Sequence, residues 1–177
     1  MAMAVRRVDP AGARDLAAFA EACFREAFGY LLPDQALDRL CRRAFAPEAM
    51  AALVGRCAWI AEGPAGCLGY AGLGAEPCPV AGLPDPCLQL ARLYVAGPWQ
   101  GRGVSGALMS ACLGEARRRG ARSLWLEAFE GSPRALGFYR RWGFQDLGGL
   151  QVRVQEGIHL PHRILGLALG RTGDGIS

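Results

Sequence analysis

The chain has 177 residues, 51% of them apolar and 20% charged, a balance that fits one folded domain with a proper core and excludes a disordered chain. A net charge of +4 with no dense basic run argues against nucleic acid as a partner, and no apolar run is long enough to span a membrane. All basic residues are Arg, and Lys and Asn are absent, which reads as codon bias from a GC-rich genome.

Residues 5–8 read as a first strand. Asp9 and Pro10 then resemble an N-cap followed by proline at the first helical position. Leu16, Phe19, Cys23 and Ala27 recur at spacings of three and four, predicting a helix that ends at Gly29. A second helix starts near Pro33, with Leu37, Leu40 and Ala44 inward, and a third short one over 48–54 is closed by Gly55. The N-terminal stretch carries Arg6, Arg7, Asp9 and Arg14 and lacks the continuous apolar core of a signal peptide.

Two apolar runs, 57–61 and 67–73, flank a glycine-containing turn and predict a hairpin. Residues 77–86 hold four prolines and one glycine, the composition of a loop or a mobile surface segment. Strands over 87–95 and 123–129 bracket a helix over 103–119. Arg117, Arg118 and Arg119 fall at the end of that helix, where cations complement its dipole. Ser132 and Pro133 open a further helix that ends before Gly143, and two closing strands follow, the last near 164–169. Antiparallel strands come first and a parallel crossover later, so the class is mixed α/β (α+β) in one domain over 1–170, with 171–177 as a disordered tail. The seven Cys are odd in number and form no CxxC pair. That pattern predicts reduced thiols in a cytoplasmic protein and no metal site. His159 and His162 read as surface residues, without further ligands nearby.

The most informative stretch is Gln100-Gly101-Arg102-Gly103-Val104-Ser105-Gly106-Ala107. It follows a strand and opens a helix, so unpaired backbone N–H groups gather at the positive end of the helix dipole. Glycines let an anion approach, and the expected ligand group is a phosphate or diphosphate. Gly101, Gly103 and Gly106 also match the dinucleotide fingerprint literally, with Glu127 near the place of the ribose acid. The context argues against it: Gly97-Pro98-Trp99 separates strand from loop, and too little chain follows for further βαβ units. A P-loop is excluded because no Gly-Lys-Ser/Thr follows. A glycine-rich turn without a ligand is the remaining alternative.

Gln100, Gly103 and Ser105 resemble the central motif of the GNAT (GCN5-related) N-acetyltransferase superfamily: Gln or Arg, two residues, Gly, one residue, then Gly or Ala. Ser105 departs from that pattern by one hydroxyl. Leu90-Ala91-Arg92-Leu93-Tyr94-Val95 resembles the family's fourth strand, and the segment from Ala135 to Phe144 its A-x-x-F-Y-x-x-x-G-F motif. A finer resemblance, to spermine/spermidine-type and ribosomal-protein N-terminal acetyltransferases, rests on Arg92-Leu93-Tyr94-Val95 and Leu124-Trp125-Leu126-Glu127. The specific likeness covers roughly the second half of the chain.

The resemblance implies a central, mostly antiparallel sheet splayed between its fourth and fifth strands, with helices on both faces. It implies acetyl-CoA as co-substrate, no metal, and a small-molecule or peptide amine as acceptor. Relatives often pair, which implies a homodimer. Backbone amides from Gly101 to Gly106 would take the diphosphate, with Gln100, Arg102 and Ala107 in the same loop and Arg102 adding a charge at the rim. Leu93, Tyr94 and Val95 would bond the pantetheine arm like a strand. Ser132 stands where relatives often carry an Asn on that arm, and Ala135 and Phe138 belong to the same cofactor-facing motif. Tyr139 would protonate the departing thiolate; its alternative is a core aromatic with a satisfied hydroxyl. Gln89 and Ala91 replace the strand-four carboxylate of many relatives, so Glu127 is the candidate base, with Glu130 or a water chain as alternatives. Two other functions stay open: a catalytically weak acyl-CoA-binding sensor, and a dinucleotide-dependent oxidoreductase.

Overall fold

The computed structural model describes residues 3–64, 66–155 and 157–170; the predicted tail at 171–177 lies outside them. A seven-stranded sheet has the order β1-β2-β3-β4-β5-β7-β6. Its strands are β1 (Ala4–Arg7), β2 (Ala58–Gly63), β3 (Gly66–Gly74), β4 (Cys87–Val95), β5 (Ser123–Phe129), β6 (Gln145–Gln155) and β7 (Ile158–Ala168). The β1–β2, β2–β3, β5–β7 and β6–β7 pairings are antiparallel, and β4–β5 is parallel. The helices are α1 (Ala13–Phe28), α2 (Asp34–Ala44), α3 (Pro47–Cys57), α4 (Val104–Arg118) and α5 (Pro133–Arg141). This is the mixed α/β class that the sequence predicts. The chain divides into two compact units, Met1–Gly74 with Arg92–Cys112, and Ala75–Ala91 with Leu113–Ser177.

In the first unit Asp9 caps a single 3-10 turn over Pro10–Gly12, its carboxylate accepting from Gly12 N at 2.9 Å, before α1 begins. The periodic face of α1 buries Leu16, Ala20 and Cys23, and α2 buries Ala36, Leu37 and Cys41. Gly55 does not end α3, which runs through it to Cys57. An exposed glycine costs a helix only about 1 kcal/mol, and Leu53, Val54 and Cys57 are buried around it. A Cβ on Gly69 of β3 would lie 2.8 Å from the Tyr94 carbonyl and 3.1 Å from Val104 Cγ1. The bare glycine therefore lets the end of β4 and the first turn of α4 close onto β3.

In the second unit β4 pairs with β5 only from Cys87↔Ser123 to Gln89↔Trp125. Residues 126–129 of β5 extend beyond that register. The proline-rich stretch is fastened rather than loose. Ser123 Oγ donates to the Pro84 carbonyl at 2.6 Å, and Trp125 Nε1 donates to the Glu76 carbonyl at 3.0 Å. The last strand starts at Ile158, earlier than its weak alternation suggests, because β6 pairs with it from Gln145↔Gly166 to Gln155↔Ile158.

Candidate functional site

The glycine loop lies in the first unit. After β4 a 3-10 turn, Gly97–Trp99, leads into it. Gly101 and Gly103 have φ of +77° and +85°, conformations that L side chains rarely adopt. The Gly103 carbonyl accepts the first helical bond, from Ala107 N at 3.1 Å. The amides of Val104, Ser105 and Gly106 therefore lie in the opening turn, where no helical acceptor is available. A Cβ on Gly103 would meet nothing within 4 Å, so backbone conformation, not crowding, calls for glycine there. First-turn amides without a helical acceptor are the donor set that a diphosphate uses.

Two side chains set this loop. Gln100 Nε2 donates to the Val95 carbonyl at 3.1 Å, tying the loop back to the strand. Arg102 lies over the Trp99 ring, 5.4 Å from its centroid, so its charge rests on an aromatic face at the loop's edge. At the strand end, Ala96 N donates to the Leu68 carbonyl at 3.0 Å.

On β4, Leu93 and Val95 alternate with Tyr94. The Tyr94 ring stacks on Tyr70 with centroids 5.6 Å apart and an 11° interplanar angle, and packs near Phe24 at 6.5 Å. Burial pushes both phenols above their ordinary pKa. Tyr94 thus keeps its ring within the aromatic cluster. The Tyr70 hydroxyl is buried without a hydrogen-bond partner.

The second unit holds the other candidates. Leu124, Trp125, Leu126 and Ala128 of β5 are buried, and Glu127 is the one exposed position of the strand. Its carboxylate Oε2 is 3.8 Å from His162 Nδ1 on β7. Glu130 N donates to the Pro161 carbonyl at 2.8 Å, and the Glu130 side chain is exposed. On α5, Leu136 is the buried residue, while Ala135, Phe138 and Tyr139 are half-buried. Tyr139 meets Phe138 and Phe144 edge-on at 5.4 and 5.8 Å, so its ring is braced without being sealed into the core. Ser132 occupies the N-cap position of α5, and its carbonyl accepts from Leu136 N at 3.1 Å, but its hydroxyl makes no capping bond.

One residue stands apart from its sequence reading, and one contact has no sequence signal. His162 is not a surface residue: its side chain is 17% exposed, and Nδ1 is buried without a hydrogen-bond partner. Glu26 of α1 accepts from Gly97 N at 3.3 Å, at a position where a Cβ would collide with its carboxylate. Nothing in one sequence pairs Glu26 with Gly97. Among the described residues no group of three His, Cys, Asp or Glu is arranged to hold a metal ion.

The model of the acetyltransferase (GNAT) family matches residues 16–144. No curated protein matches in sequence. Among solved structures, the PaiA N-acetyltransferase of Thermoplasma acidophilum in complex with coenzyme A is similar with a TM-score of 0.74 and 13% identity, over 96% of this chain and 100% of that one. YncA of Salmonella typhimurium, with its cofactor acetyl-CoA, gives 0.68 and 20% over 100% and 99%. The ribosomal-protein-alanine N-acetyltransferase of Brucella melitensis gives 0.67 and 23% over 94% and 99%. These likenesses concern the fold.

Proposed function

Because the chain belongs to the GNAT acetyltransferase family, whose members are acetyl-CoA-dependent acyltransferases, we propose that it carries an acetyl group to a primary amine of a small molecule or peptide. Residues 1–170 act as one acetyltransferase domain, in the cytoplasm, on an amine acceptor. A homodimer is the assembly in keeping with its relatives. No helix is long and apolar enough to cross a membrane among the described residues.

The observation that carries this reading is the loop of first-turn amides behind Gly103, the donor set a diphosphate needs. The backbone amides of Gly101 to Gly106 hold the diphosphate, and Leu93, Tyr94 and Val95 bond the pantetheine arm through their backbone. The acceptor nitrogen attacks the thioester carbonyl, a C–N bond forms, and the C–S bond breaks. Glu127 takes the proton that the amine gives up, and the Tyr139 hydroxyl gives its proton to the departing thiolate. An alkyl ammonium titrates near pH 10, about three units above neutrality, so a proton acceptor is needed to keep the nucleophile neutral. The exposure of Glu127 in a strand whose other residues are buried or half-buried supports it in that role.

The test is a thermal-shift comparison of CoA with NAD, followed by an amine panel read by thiol release. Stabilisation by CoA but not NAD, with thiol release from acetyl-CoA that requires an amine, is the expected result. Stabilisation by NAD alone would favour the oxidoreductase reading, and CoA binding without turnover the sensor.

A further inference from the structure

We propose that His162 is the positioning residue for Glu127: its Nδ1–H donates to the Glu127 carboxylate and fixes the direction in which that carboxylate accepts a proton. The inference rests on the role given to Glu127 above.

The register places the two side chains on one face of the sheet. His162 lies directly across from Phe129, and Glu127 across from Ile164. Cross-strand partners share a face and alternate residues return to it, so Glu127 and His162 are diagonal neighbours. The other residues of that face around the ring are apolar. They are Leu160 and Ile164 on β7, Leu150 and Val152 on β6, and Phe129, whose ring meets the imidazole edge-on at 6.1 Å. Arg163, the adjacent charge, alternates to the other face and is bound to Asp146 at 2.7 Å. Glu130, beyond the end of β5, is exposed. Glu127 is therefore the charged side chain that faces the ring from the flanking strands.

Nδ1 is buried, has no hydrogen-bond partner, and stands 3.8 Å from Oε2. A buried donor without an acceptor is unfavourable, and a bond to a charged acceptor is among the stronger ones available. A rotation of the Glu127 side chain that closes this gap satisfies Nδ1 and pins the carboxylate. The edge contact with Phe129 and the apolar neighbours hold the imidazole plane in place. Without His162, a carboxylate on an exposed strand position samples several rotamers, and only some of them face an incoming amine.

The test uses the full chain and has two arms. The first is the imidazole 15N spectrum at one fixed pH; the chain has two histidines, assigned with His159→Gln. Glu127→Gln is expected to move the His162 Nδ1 resonance and leave His159 in place; an unmoved His162 resonance would overturn the pairing whatever the activity. The second arm is steady-state kinetics with an amine from the panel. His162→Phe, which keeps an apolar ring beside Phe129, is expected to lower kcat about tenfold with the KM for acetyl-CoA unchanged. His162→Asn, which returns an N–H donor near the Nδ1 position, is expected to recover part of the loss. Full activity in His162→Phe with an impaired Glu127→Gln would overturn the role of His162 alone. Full activity in Glu127→Gln would remove Glu127 from the reaction and the role of His162 with it.

Discussion

The Gln100 side-chain amide donates to the Val95 carbonyl across 3.1 Å, closing the corner between the last residue of β4 and the glycine loop. The glutamine of the motif thereby braces the protein's own backbone. A hydrogen bond of this kind contributes about 0.5–1.5 kcal/mol. Gln100→Ala is expected to weaken CoA binding about two- to tenfold by isothermal titration calorimetry, with the melting temperature little changed.

Gly103 gives a sharper test of the loop. Its φ of +85° costs an L side chain about 1–2 kcal/mol. Gly103→Ala should raise the Kd for CoA about tenfold as the loop relaxes. Gly120, at the other end of α4, has a φ of +74° with nothing within 4 Å of a built Cβ. Gly120→Ala should bring a comparable loss of stability and no change in Kd.

Tyr139→Phe removes one hydroxyl and keeps the edge-on contacts with Phe138 and Phe144. If the hydroxyl protonates the departing thiolate, kcat should fall about a hundredfold while CoA binds as before. Unchanged turnover would take Tyr139 out of the mechanism.

The pH dependence of stability has an identifiable contributor. Hydrogen bonds from Arg118, and then Arg119, hold the Glu115 carboxyl down from 4.5 to about 2. Because the folded value lies below the unfolded one, the contribution is fully present above about pH 4.5 and is lost as pH falls through about 2. Glu115→Gln should melt lower than the parent chain at pH 6, and the two melting curves should converge toward pH 2 in thermal denaturation followed by circular dichroism.

Much of the fold is legible in the sequence. Cys87–Val95 and Ser123–Phe129 begin and end where their apolar runs do, because glycine, proline and charge punctuate both ends. The start of β7 is not legible. Its residues alternate weakly, and its partner β6 is mostly exposed or half-buried, so pairing rather than patterning sets the length. In the candidate site, the glycine loop and Tyr139 are readable because short motifs carry them. His162 is not, since its burial depends on the β5–β7 register, a contact between positions far apart in the chain. Ser132 reads as a capping residue, yet its φ of −111° and ψ of 78° go with a hydroxyl that makes no capping bond.

The most direct measurement is an amide-resolved NMR titration of the labelled chain with CoA and, separately, with pantetheine, which lacks the diphosphate. The amides of Gly101, Gly103, Val104, Ser105 and Gly106 are predicted to shift strongly with CoA and to stay in place with pantetheine. Equal shifts with both ligands, or CoA binding that leaves those amides unmoved, would contradict the assignment of the loop as the diphosphate seat.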